Sequence, residues 1–239
     1  MKLNPNPAAK PVTNAKRAFM IARDMSWLQL IWSAWFISFV ILFYALIEID
    51  AQNFLPFAYQ PSKVFMLVIG ILSVSGFLTF FVKQGVTRKA YFYGSSLAAA
   101  AVALVLMGFV GVLGSLQQLL FPVAQTRNFL GENFSWPLTV LVYSLNILVY
   151  YVAGYLIGAG FYRFGKIGGM LYIVLALAVI LISDVMWEFE LKETIQRVVY
   201  LGDILDFPVW GSLTGTLLLV GVTLWIIRAT TKRVRIKLK

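Results

Sequence analysis

Asp184 and Glu188 stand one helical turn apart at the end of an apolar run, the spacing at which two carboxylates share a helix face. Such a pair could bind a cation or a proton at an exit, or could be interfacial acids paired with Lys192. Tyr143, Asn146 and Tyr150 recur at i, i+3 and i+7 and so fall on one face of a helix, where they could line a substrate path or make an interhelical hydrogen bond. Much other chemistry is excluded. Histidine and cysteine are both absent, which removes thiolate zinc sites, histidine-ligated haem, Ser-His and Cys-His nucleophile pairs and disulfides. No metal site is expected. An aspartyl intramembrane protease needs two carboxylates within the bilayer, and Asp184 is the only acid near the body of an apolar run. Gly160 to Lys166 has the GxxxxGK spacing of a phosphate-binding loop, but Ile167 stands where a hydroxyl should hold magnesium, and the segment joins two apolar runs instead of a strand to a helix.

The elements that must position these residues follow from composition. With 60% hydrophobic residues, 13% charged residues and a mean hydropathy of +0.83 over 239 residues, the chain cannot be arranged as a soluble globule. It reads as an all-α, polytopic membrane protein. Charge-free intervals long enough to span a bilayer predict six transmembrane helices: Trp27–Ile47, Val64–Val82, Tyr91–Gly114, Trp136–Gly160, Ile167–Trp187 and Phe207–Ile227. Gln117, Gln118 and Pro122, which follow the third, are placed at the interface, because the whole uncharged run as one helix would overshoot a ~30 Å hydrocarbon core. Before the first span, Ala15 to Ser26 mixes Lys16, Arg17 and Arg23 with Phe19, Met20, Ile21 and Met25, which predicts a short interfacial helix after a Pro-rich tail. Residues 1–26 are thus a tail with an interfacial helix, 27–228 a single membrane domain, and 229–239 a basic tail. No cleavable signal peptide and no three-plus-three repeat is expected.

Sorting charge along this topology separates it sharply. One side holds Lys2, Lys10, Lys16, Arg17, Arg23, Lys83, Arg88, Lys89, Arg163, Lys166, Arg228, Lys232, Arg233, Arg235, Lys237 and Lys239, with Asp24 as its one acid. The other side holds four basic residues, Lys63, Arg127, Lys192 and Arg197, against the nine remaining acids. The positive-inside rule then makes both termini cytoplasmic, in a multi-pass protein of the cytoplasmic membrane. The net charge of +10 has a topological explanation and needs no nucleic-acid partner.

Glycine pairs at Gly154 and Gly158 and at Gly211 and Gly215 allow close helix approach, within the chain or between subunits. Between the second and third spans, Gly85 can end one helix and Thr87 can cap the next, leaving Arg88 and Lys89 in a first turn whose dipole does not favour cations. Lipid phosphates or acidic groups of a cytoplasmic protein are candidate partners for them. The stretch Glu188 to Phe207 is too apolar for a solvated loop and too charged for a span, which predicts a partly re-entrant extracellular hairpin broken at Gly202.

The Gly85-Val86-Thr87-Arg88-Lys89 turn followed by aromatics, the basic amphipathic segment before the first span and the acidic stretch before the last resemble the permease subunits of ABC-2 type ABC transporters, especially small six-span exporters of Gram-positive bacteria. The resemblance covers the topology of nearly the whole chain and, at residue level, the turn. It implies that Gln84, Gly85, Val86, Thr87, Arg88, Lys89 and Tyr91 form a coupling helix that docks on a cytoplasmic ATPase. It also implies a second permease copy or homologue as partner. ATP and magnesium would be bound by the ATPase, this chain being no enzyme and carrying no cofactor. The apolar and aromatic spans suit an amphipathic or hydrophobic cargo such as a membrane-active peptide, an antibiotic or a lipid-like molecule. Two rival classes are a non-transporting membrane scaffold or sensor and a secondary transporter, the latter disfavoured by the missing repeat and the missing charged relay.

Overall fold

The computed structural model of the chain describes residues 14–47, 53–120, 135–187 and 209–232, which contain no strand. Helix α1 spans Asn14–Leu46, α2 Phe54–Leu72, α3 Thr79–Lys83, α4 Arg88–Leu120, α5 Trp136–Met186 and α6 Val209–Thr231. A π-helical segment, Ser73–Leu78, joins α2 to α3 into one rod. Five helical stretches are long and apolar enough to cross a membrane. Their outer faces are apolar too: Trp27, Phe39, Leu119, Ile167, Leu171 and Trp225 are largely exposed, a surface suited to lipid and not to water. The chain is a multi-pass helical membrane protein.

Helix α5, at 51 residues, is twice the length a span requires, and Gly165 breaks it at φ 72°, ψ −154°. Contacts recede symmetrically from that glycine. A Cβ on Gly160 would collide with Tyr172, one on Gly169 would collide with Phe161, and farther out Ser183 bonds Asn146 and Tyr150 bonds Asp184. The two arms, residues 136–164 and 166–186, therefore run antiparallel as a helical hairpin, each about 30 Å long or more. Positive φ is open to glycine at little cost, and glycines at 160, 168 and 169 let aromatic rings fill the crook.

This hairpin is the centre of the molecule. Gly154 and Gly158 lie against the backbone of α2 and the π segment: an added Cβ would overlap the Leu67 carbonyl at the first and stand 2.9 Å from that of Ile71 at the second. Gly70 returns the contact, pressed against the Tyr151 carbonyl. The Gly154 and Gly158 pair thus packs within the chain. Gly215 faces the side chain of Met186, again intrachain, and Gly211 is half-buried nearby.

Several sequence expectations are corrected. Helix α1 is continuous from Asn14, so Ala15 to Ser26 is no separate interfacial helix. Ile21, Ala22 and Met25 are buried, and Gly94 of α4 opens the space that admits Ala18 and Ile21. Helix α2 begins ten residues before Val64. Asn53 accepts from the Leu55 N–H, Gln117 accepts from the Phe54 N–H, and Pro56 in the first turn has no N–H to satisfy. Helix α4 runs to Leu120, about 50 Å, instead of ending near Gly114. Gln117 ties α4 to the start of α2 and to the Tyr44 hydroxyl of α1. Helix α6 continues to Thr231, into the segment read as tail. The expected hairpin from Glu188 to Phe207, with Gly202, lies outside the described residues, as does Lys192.

Candidate functional site

Two polar layers interrupt the apolar bundle, one toward each end. The end that gathers Arg88, Arg163 and Arg228 is the basic end. Here α3 closes with a Schellman motif: Gly85 takes φ 81°, its N–H reaches the Val82 carbonyl at 3.0 Å, and the Val86 N–H reaches the Phe81 carbonyl at 3.1 Å. Thr87 then caps α4 by accepting from the Ala90 N–H at 3.2 Å. Both local expectations hold: Gly85 ends one helix and Thr87 begins the next. With every residue of the connection in a cap, the turn is stiff.

Gln84, Gly85, Thr87 and Lys89 are exposed on this turn, and Val86 and Arg88 are half-buried. Tyr91, grouped with them on sequence grounds, points the other way: it is 1% exposed and its hydroxyl donates to the Ser73 carbonyl at the start of the π segment. A π turn disturbs the i→i+4 ladder, so carbonyls there accept from side chains. Around it, Ser73 meets the Tyr151 hydroxyl at 2.7 Å and Ser95 meets that of Tyr155 at 3.2 Å, with buried Gln29 of α1 beside Tyr151. The base of α4 is thereby joined to α2 and to the hairpin.

Two cations of the basic end have hydrogen-bond partners inside the fold. Arg163, beside the Gly165 crook, donates to the Thr230 carbonyl at 2.7 Å and the Ala229 carbonyl at 3.1 Å, and Arg88 makes a longer contact, 3.5 Å, with the Lys232 carbonyl. These are the orphan carbonyls of the α6 C-terminus, where the helix dipole favours positive charge. Arg88 therefore starts one helix unfavourably and ends another favourably.

The second layer lies toward the opposite end, between α2 and both arms of the hairpin. The stripe read from spacing is real: Tyr143 and Asn146 are buried, Tyr150 is half-buried, and all three face inward. Asn146 accepts from Ser183 at 3.3 Å and donates to the Val142 carbonyl of its own helix at 3.1 Å. The first of these is an interhelical hydrogen bond between the arms. Tyr150 donates to Asp184 at 3.3 Å, longer than the about 2.5–2.7 Å of a tight hydroxyl–carboxylate bond. Asp184 is only 4% exposed, a carboxylate buried among the helices. Glu188, its expected companion, lies outside the described residues.

Its actual companion is Lys63. Placed by sequence in an outer loop, Lys63 is in the third turn of α2 and is 7% exposed. Its Nζ sits 4.5 Å from the centroid of Tyr59 and 5.4 Å from that of Tyr150, within Coulombic range of Asp184. Tyr143 meets Tyr59 edge to face at 4.5 Å. The stripe and the acid, separate features of the sequence, are thus one cluster, and Lys63 and Tyr59 complete it. A signal was available: Phe54, Leu55, Phe57, Ala58 and Tyr59 are a helical apolar face before Lys63, masked by Pro56 and Pro61. Charges buried between apolar helices are costly and mark functional sites.

Among the described residues, no group of three or more His, Cys, Asp or Glu side chains converges as a metal site would require. Fold and site together define a multi-pass helical membrane protein with a buried ionisable cluster. Comparison with protein-family models, with curated proteins and with solved structures finds no match to this chain.

Proposed function

We propose that this chain is the membrane-spanning subunit of an ATP-driven exporter of the ABC-2 type, moving an amphipathic or hydrophobic cargo across the cytoplasmic membrane. In this reading the two arms of α5 are separate spans, making six, and both termini are cytoplasmic by the positive-inside rule. Two copies, or one with a homologue, enclose the path. A partner ATPase binds ATP and magnesium, and its closure moves α2 and α4 as rigid bodies. This chain performs no bond chemistry; it offers cargo different affinities in its two states.

The observation that supports it is the turn of residues 83–88. It is largely exposed, basic and held by caps at both sides; Tyr91 links it to the π segment, and Ser73 links that segment to the hairpin through Tyr151. A load applied there reaches the bundle core without being absorbed by a flexible loop. The test is whether an ABC-type ATPase co-purifies with this chain from its native membranes. Lys83→Glu with Lys89→Glu, which leaves the contact between Arg88 and α6 in place, is expected to abolish stoichiometric co-purification while membrane insertion and thermal stability are kept. Undiminished ATPase binding by that variant removes the coupling assignment.

One observation favours a second reading. Buried Lys63 and Asp184 supply the ionisable pair that a secondary transporter needs and that the sequence alone did not place inside the bundle. Cargo flux in liposomes containing this chain alone, driven by a proton gradient without ATP, would decide for it.

A further inference from the structure

Lys63 occupies the position of a bound ammonium ion. Its Nζ is inside the ~6 Å range of cation–π attraction for two tyrosine rings, Tyr59 and Tyr150. Tyr150 in turn presents its hydroxyl to the Asp184 carboxylate, and Tyr143 braces the Tyr59 ring. Aromatic faces beside a carboxylate are the parts with which proteins recognise amines and quaternary ammonium groups. An apolar side chain with a neutral partner would fill the same space at lower cost. Lys63 also comes from the same helix as Tyr59, one turn on, through a flexible four-carbon stem.

We propose that Tyr59, Tyr143, Tyr150 and Asp184 form an ammonium-binding site that Lys63 fills in this conformation, and that a cationic amphiphile, an amine on an apolar body, fills when Lys63 leaves. Apolar neighbours suit the body of such a molecule: Ile147, buried one turn from Tyr143, and Ile180, one turn before Asp184, belong to the same apolar cluster. This deepens the exporter reading by naming its cargo class, and it rests on that reading only in calling the amphiphile cargo.

The test uses the full chain in phosphatidylcholine nanodiscs with dodecyltrimethylammonium as probe and dodecyl maltoside as neutral control. Lys63→Met keeps the length of the stem and removes the resident cation; it is expected to bind the probe at least about tenfold more tightly than the wild type, with no gain for the control. Adding Asp184→Asn to Lys63→Met is expected to reverse the gain. Should Lys63→Met fail to fold, Lys63→Gln is measured in its place with the same expectation. The proposal is overturned if emptying the cage leaves probe affinity unchanged, if the neutral control gains equally, or if Asp184→Asn has no effect on the gain. Loss of thermal stability in both variants without any change in probe affinity makes the pair a structural latch and likewise overturns it. ATPase co-purification measured on the same proteins separates the two readings. Retained ATPase binding without probe binding rejects the site alone, and probe binding without an ATPase partner rejects the exporter alone.

Discussion

Gly85 and Gly154 are glycines for opposite reasons, and substitution should tell them apart. At Gly85 there is open space around an added Cβ, but φ is 81°, so Gly85→Ala should cost about 1–2 kcal/mol of backbone strain, seen as a modest fall in the thermal midpoint of the purified protein. At Gly154 the backbone is helical, and a Cβ would overlap the Leu67 carbonyl of α2. Gly154→Ala must push two helices apart and should cost at least about 2–3 kcal/mol, with a marked loss of folded protein on detergent extraction. A smaller fall for Gly154→Ala than for Gly85→Ala would contradict this packing. At this scale the sequence was informative where the physics is local. Gly85 and Thr87 could be read as a stop and a cap because a Schellman turn and an N-cap need only neighbours in the chain. That Tyr91 turns inward could not be read, since its partner, the Ser73 carbonyl, belongs to another helix.

Among the elements, α6 depends on its neighbours at its C-terminal end, where Arg163 and Arg88 satisfy carbonyls that no intrahelical N–H can reach. Arg163→Ala should fray that end at a cost of roughly 1 kcal/mol, and amide exchange at residues 228–231 should quicken while the middle of α6 stays protected. Uniform exchange along α6 in both proteins would count against the cap. The π segment offers a second check. Tyr151→Phe deletes the hydroxyl that meets Ser73 at 2.7 Å, and buried hydrogen bonds between membrane helices average about 0.6 kcal/mol, so a small, reproducible loss of stability is expected. No change at all would mean that this contact does not hold α2 to the hairpin. The existence of the apolar helices was legible from charge-free runs, but their ends were not. Helix α1 packs on α4 from its first turns because Gly94 makes room there for Ala18 and Ile21, and α2 starts early because Gln117, far along the chain, caps it.

For the whole molecule, the separation of charge makes a prediction about orientation. The chain has no cysteine, so single introduced thiols report without background. Lys89→Cys and Lys166→Cys should resist an impermeant thiol reagent in intact cells and react after permeabilisation, whereas Ser135→Cys at the opposite end should react in both conditions. The reverse pattern would invert the topology and with it the coupling assignment. Composition and charge order by themselves determined that the chain is helical, crosses a membrane several times and concentrates its cations at one end. Those properties are sums over residues or periodicities along the chain, and the solvent enforces them without reference to any particular contact. Only the tertiary structure decided that Lys63 lies inside the bundle with Asp184, that the Tyr143, Asn146 and Tyr150 stripe faces it, and that the Gly154 and Gly158 pair packs within one chain. Each of these depends on which helices lie side by side, and between helices of similar hydropathy that choice is made by close packing and by matching a few polar groups buried where water cannot satisfy them.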